Sequence, residues 1–302
     1  MGSSDRPLDA SALRDWAHTA VSDLITHIDE INRLNVFPVA DSDTGANMLF
    51  TMRSALAEAN AVANSGADSE MGPGCVARVA AAMSAGALNG ARGNSGVILS
   101  QILRGIADVT AAAAARSGGE LPDIDVTIFG AALQRGVELV ITSMGGEEVP
   151  GTIVSVLRAA AGAAEQSASG GEGLPRAITA AGDAAVIALD KTPEQLDVLA
   201  DAGAVDAGGR GLLVLLDALR STVTGQAPAR TVYELSPRAL PASDAPATIT
   251  ERPAPRFEVM YLLGGCDAAA AHALRDRLSE LGESVAITAA PSTTQGGYSV
   301  HV

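Results

Sequence analysis

A chain of 302 residues has room for one large domain and part of another. Its 35 acidic residues against 20 basic ones leave a net charge of −15, which argues against the cationic face that nucleic-acid binding requires. Hydrophobic residues make up 47% of the chain but aromatics only 3%, so the core has to be built from Ala, Leu, Val and Ile on closely packed helices. Lys191 is the only lysine, so a P-loop lysine is absent and phosphate contacts outside a metal fall to arginine or backbone amides. Cys75 and Cys266 are too few and too far apart for a disulfide framework or a Cys-rich zinc site, which makes the cytosol the expected compartment. No secretory leader pattern opens the chain. The Ala-rich run Val109–Ala115 is interrupted too soon to span a bilayer, so no membrane span is expected.

In chain order, Asp9–Leu34 reads as an amphipathic helix with Leu13, Trp16, Val21, Leu24, Ile28 and Ile31 on one face. His18 and His27 on it are expected to be surface or satisfied histidines. Next comes LNVFPVADSDTGANM, Leu34–Met48, which sets Asp41 and Asp43 two residues apart at the mouth of a helix beginning near Thr44. Met48, Met52, Leu56 and Ala59 give that helix its period. Two carboxylates on a loop suit a hard divalent cation such as Mg²⁺, and a helix N-terminus suits an anion. Thr44, Gly45, read as the tight turn, and Asn47 complete the candidate set. The competing reading is that Asp41, Asp43 and Thr44 only cap the helix.

Asn64–Gly74 reads as a loop and Cys75–Leu88 as a small-residue helix, with Cys75 a packed side chain. Asn89–Gly96, NGARGNSG, reads as a glycine-rich turn opening an apolar helix at Val97. Gly93, Asn94, Ser95 and Gly96 are candidates to present N–H groups to phosphate, against a helix–helix turn that needs glycine for packing. Ser117–Asp125 is a loop and Val126–Ser143 a helix. Pro150 and Gly151 break the chain before Thr152, which is either a phosphate contact or an N-cap. Gln166–Gly173 is loop, Leu174–Leu189 helix, and Thr192 opens a short helix. Gly203–Gly211, GAVDAGGRG, holds Asp206, Gly208 and Gly209, with Arg210 either a phosphate contact or a surface cation; as plain sequence it is also a stop-and-restart between helices.

Thr224–Pro255 shifts to Pro, Ala, Thr and Ser, the composition of a linker or extended crossing. Beyond it, Phe257–Leu263, Ser284–Thr288 and Tyr298–Val302 read as strands and Asp267–Leu281 as a helix.

Taken together, Leu34–Met48, Gly90–Gln101, Gly151–Val154 and Val205–Gly211 resemble, in order, the marks of the L-type domain of dihydroxyacetone kinases. Within that family the spelling is most similar to the N-terminal domain of bacterial fatty acid kinase A subunits. The resemblance covers roughly residues 8 to 225. It implies a mainly α fold, an eight-helix antiparallel barrel-like bundle (8–225), then a linker (226–255) and the start of an incomplete α+β domain (256–302). It implies ATP- and Mg²⁺-dependent phosphoryl transfer to a fatty acid held by a partner protein. Asp41 and Asp43 would hold the metal as the catalytic pair, and Thr44, Gly45, Asn47, Gly93, Asn94, Ser95, Gly96, Thr152, Asp206, Gly208 and Gly209 would hold ATP or ADP. In the family the last of these motifs is a loop that closes over the nucleotide. A third aspartate precedes the pair in the wider family, and its counterpart here is Asn35. Pro150 stands where this branch usually has Glu. The family's middle domain carries a cysteine and two histidines; Arg256 stands near the cysteine position and His301 at the first histidine, so zinc is not expected. A dihydroxyacetone kinase subunit with ADP as phosphate relay, and a nucleotide-binding regulator without turnover, remain alternatives. A homodimer is left open.

Overall fold

The structure is a computed structural model that describes residues 5–64, 75–236, 259–282, 285–289 and 297–302. The described residues contain eight long helices: α1 (Ala10–Leu34), α2 (Thr44–Asn64), α3 (Val76–Asn89), α4 (Gly93–Arg116), α5 (Val126–Ser143), α6 (Ile153–Ser169), α7 (Leu174–Asp190) and α10 (Ala207–Thr224). Two short helices, α8 (Thr192–Gln195) and α9 (Asp197–Ala202), interrupt the passage from α7 to α10. Strands β1 (Met260–Gly264), β2 (Ala286–Ala289) and β3 (Gly297–His301) and helix α11 (Ala268–Leu281) follow.

Each long helix packs on the next in sequence, and α10 returns to pack on both α7 and α1, so the eight form a closed ring. Neighbours run antiparallel. The end of α1 meets the start of α10 through Glu30 and Arg210, while the Arg6 amide, just before α1, reaches the Val223 carbonyl at the far end of α10. The ring follows from side-chain size as much as from periodicity. Gly105 of α4 faces the Gly136 backbone of α5, where an added Cβ would lie 2.6 Å from the Gly136 nitrogen. The expected faces are the buried ones: Leu13, Trp16, Leu24 and Ile31 on α1, and Met48, Met52 and Ala59 on α2. Trp16 is buried and donates its indole N–H to the Leu215 carbonyl at 3.0 Å, which satisfies its one polar atom inside the ring.

Helix boundaries depart from the sequence reading at four places, one of them residues 166–169, read as loop but forming the end of α6. The apolar run read as interrupted belongs to one 24-residue helix, α4, long and apolar enough to cross a membrane by length and composition. It lies instead between α3 and α5, with Val97, Leu99, Ile102 and Leu103 buried. Its first turn already includes Gly93–Gly96, so the segment read as a separate turn is helical. Residues 207–211, read with the resemblance as a loop, are the first turns of α10. The reading of 65–74 as loop lies outside the described residues, as do Arg256 and residues 257–258 and 284 of the expected strands.

Residues 226–236 run back along the ring without regular structure and are tied down. Arg230 pairs with Asp217, the Tyr233 hydroxyl donates to Asp190 at 2.7 Å, and the Ser236 amide bonds the Gly203 carbonyl. The strands form one antiparallel sheet in the order β1-β3-β2, backed by α11. The sheet sits against the start of α4 and the end of α5, where Ala286 packs with Ala91, Val97 and Met144. Arg104 donates to the Ala289 carbonyl and Arg275 to that of Thr142.

Candidate functional site

An up-and-down ring places the starts of alternate helices at one end. Here α2, α4, α6 and α10 all begin there, and every motif picked from the sequence falls on one of those four starts. They come together in two pairs. Ser95 of α4 donates its hydroxyl to Thr44 of α2 at 3.4 Å. Asp206, before α10, accepts from the Ile153 amide at the start of α6.

At the first pair, Asp41 is exposed and Asp43 half-buried, with Ser42 between them in the left-handed region at φ 58°. A non-glycine residue in that region is uncommon outside turns and functional loops. Asn35, the C-cap of α1 and 5% exposed, donates its side-chain N–H to Asp41 Oδ1 at 2.6 Å. Asn32, one turn earlier, accepts the Gly45 and Ala46 amides at 2.8 and 3.3 Å. The expectation that the start of α2 offers its amides to phosphate is corrected at these two, because Asn32 already takes them. Gly45 is likewise not the turn residue: an added Cβ would lie 2.8 Å from the Ile28 carbonyl oxygen, so its absence lets α1 and α2 approach. Thr44 is buried and Asn47 half-buried on the following turn. Neither Asn32 nor Asn35 was among the ligand candidates. The available signal was two asparagines three apart at the last turn of a helix feeding an acidic loop.

The start of α4 differs. Its N-cap, Arg92, makes no side-chain capping bond, Gly93 takes φ 53°, and Asn94 and Ser95 are half-buried beside it. A first turn with no side-chain cap is the arrangement that accepts an anion. Gly96 is a packing residue, since a Cβ there would lie 2.5 Å from Thr51 Oγ1 on α2.

At the second pair the helix starts are capped from within. Thr152 is the N-cap of α6: its hydroxyl donates to the Val149 carbonyl at 2.8 Å and accepts the Val154 amide at 3.4 Å. Asp206 is 6% exposed and caps α10 through the Gly209 amide at 2.7 Å. Burial pushes its pKa up to about 6, against the Gly209 and Ile153 amide bonds that favour the charge. Gly209 lies against Val156 and Leu189, and Gly208 against Ile153. In this structure Thr152 and Asp206 serve as caps, and Gly208 and Gly209 sit where helices pack closely.

Arg210 is corrected most. It is 2% exposed and bonds both Glu30 oxygens, at 2.8 and 3.0 Å. The Tyr233 amide donates to Glu30 at 3.0 Å, and the guanidinium lies 5.7 Å from the Tyr233 ring centre. Burial opposes the Glu30 charge, but the bonds from Arg210, Tyr233 and His27 hold its pKa below the ordinary value. His27 is thus a satisfied histidine, and His18 is exposed.

Elsewhere, His301 is buried, with Nε2 3.1 Å from Ser299 Oγ. Burial and the nearby Arg92 charge lower its pKa to about 4. Among the described residues no group of three or more His, Cys, Asp or Glu is placed to hold a metal. Inside the ring, a cavity of about 40 Å³ is lined only by apolar side chains, including Leu13, Trp16, Leu99, Phe129, Leu133 and Leu216.

A closed antiparallel helical ring with an acidic loop and an uncapped helix start at one end defines a helical domain whose candidate site lies at the ring mouth. Residues 38–221 match the family model described as DAK2 domain, and the chain belongs to that family. It is 34% identical over 223 residues to protein YloV of Bacillus subtilis (strain 168), covering 74% of this chain and 37% of that protein. It is 33% identical over 226 residues to an uncharacterized protein of Staphylococcus saprophyticus, covering 73% of this chain and 38% of that protein. The chain thus spans well under half the length of these curated relatives. Among solved structures, the dihydroxyacetone kinase from C. freundii in complex with AMP-PNP and Mg²⁺ aligns with 73% of this chain and 35% of its own, at TM-score 0.49 and 19% identity.

Proposed function

We propose that this chain is a nucleotide-dependent kinase domain that binds ATP with Mg²⁺ and transfers its terminal phosphoryl group, with a fatty acid held by a partner protein as the acceptor. The observation that carries the reading is the meeting of the α2 and α4 starts through Ser95 and Thr44, which sets an acidic loop beside a helix start with no side-chain cap. Membership of the DAK2 domain family supports the kinase class. The acceptor rests on the resemblance of the motifs alone.

The donor set fits Mg²⁺. Asp41 and Asp43 are hard oxygen ligands at the ring mouth, and Mg²⁺ is usually held by one or two carboxylates, with phosphate oxygens and water filling the remaining positions. When bound, the ion would supply charge neutralisation to the phosphates, which a chain of net charge −15 otherwise repels. The residues' own part is positional. Asn94 and Ser95, with the amides of the α4 first turn, would hold the anion, and Thr44 ties that turn to the acidic loop. A calorimetric titration with a non-hydrolysable ATP analogue, with and without Mg²⁺, tests the reading. Binding that appears only with Mg²⁺ is expected. Equal binding with EDTA, or none in either condition, would remove it.

A further inference from the structure

We propose that Asn35 is a positioning residue for the metal site, fixing the Asp41 carboxylate through one oxygen so that the other is presented to the cation. This rests on the Mg²⁺-nucleotide reading above and adds how the chain builds that site with two carboxylates.

Four observations carry it. Asn35 is 5% exposed, so its amide is held by its surroundings and is not a loose surface group. Its side-chain nitrogen donates to Asp41 Oδ1 at 2.6 Å, a direct bond from the end of α1 to the acidic loop. Its own backbone N–H closes the last turn of α1 on the Asn32 carbonyl, so it belongs to the end of a rigid 25-residue helix. From the same turn, Asn32 holds the Gly45 and Ala46 amides. The far end of the loop from 36 to 43 is therefore tied back to α1 by two asparagines three residues apart. Asp41 is exposed and would otherwise sample several rotamers. Clamping it removes that freedom before the ion arrives.

The amide does what a carboxylate at position 35 would not. An ionised aspartate has no proton to donate, and at this distance it would repel Asp41. Asparagine holds the ligand and leaves the charge count of the loop unchanged. Residues that orient a metal-bound carboxylate in this way typically change metal affinity by about 10- to 100-fold.

The test is a double-mutant cycle read by Mn²⁺ binding in electron paramagnetic resonance, using the full chain saturated with a non-hydrolysable ATP analogue. Asn35→Ala is expected to weaken Mn²⁺ about tenfold. Asn35→Asp, which keeps the size and removes the donor, is expected to weaken it at least as much. In an Asp41→Ala background neither change should cost anything further, because Asn35 acts through Asp41. Melting without ligand identifies any variant that fails to fold, and the near-isosteric Asn35→Asp then carries the test. Losses that add to that of Asp41→Ala would make Asn35 a merely structural residue. Tighter Mn²⁺ binding by Asn35→Asp would make position 35 a direct ligand. Either result overturns the positioning role while leaving the metal–nucleotide site standing. Absence of nucleotide-dependent Mn²⁺ binding in the unmodified chain would take both down.

Discussion

The two pairs of helix starts at the ring mouth are built from the same residue types but differ in what those residues touch. At α6 and α10, Thr152 and Asp206 are buried and cap the helices from within. At α2 and α4, Asp41 is exposed and Asp43 half-buried, Asn35 of α1 holds Asp41, and the α4 start has no side-chain cap. Capping residues and ligand-binding residues share a composition, so what separates them is burial and which partner the carboxylate has already taken.

The largest effect that bears on this contrast is expected at Arg210. If it belongs to the sealed pair, Arg210→Ala leaves Glu30 buried and unpaired, which costs about 3–5 kcal/mol. Chemical denaturation reads it, and Mg²⁺-dependent nucleotide binding by the folded fraction should be retained. A fold of unchanged stability with lost phosphate affinity would move Arg210 to the open site.

Asp206 sharpens the same side by pH. Its folded pKa of about 6 lies above the 3.8 of an ordinary aspartate. Its contribution to stability is therefore complete below pH ~4 and is lost as pH rises through ~6, at most roughly 3 kcal/mol. Asparagine also caps helices, so Asp206→Asn should fold and flatten the stability profile between those pH values. An unchanged slope would show that the carboxylate is not held in a dry site.

The smallest of these effects concerns Gly96 on the open side. Its contact with Thr51 predicts that Gly96→Val costs about 1–3 kcal/mol by overpacking. ATP and adenosine binding should fall together with the folded fraction. Selective loss of ATP would return Gly96 to the phosphate cradle.

Much of the ring was legible because its helices are long and periodic. Val126–Ser143 has the bounds that the sequence suggested, and α1 starts behind Asp9, whose side chain accepts the Ala12 amide as a cap should. The two glycine clusters were not separable by spelling. In GARGNSG and DAGGRG, whether a glycine faces solvent or a neighbouring helix depends on Thr51, Val156 and Leu189, far away in sequence. Arg210 was misread for the same reason, its partner Glu30 being 180 residues earlier. Asn35 is legible only as the counterpart of the family's third aspartate; its bond to Asp41 and those of Asn32 to α2 are not, because they depend on how the loop folds back onto α1.

The most direct test sets Asp43→Asn beside Asp206→Asn in one calorimetric titration with Mg²⁺ and a non-hydrolysable ATP analogue. Both replace an aspartate before a helix with its amide, one at the open pair and one at the sealed pair. The expected result is loss of Mg²⁺-dependent binding for Asp43→Asn with the melting temperature retained, and near-unchanged binding for Asp206→Asn. Retained binding in Asp43→Asn together with loss in a folded Asp206→Asn would place the nucleotide at the α6 and α10 starts and contradict the division between the two pairs.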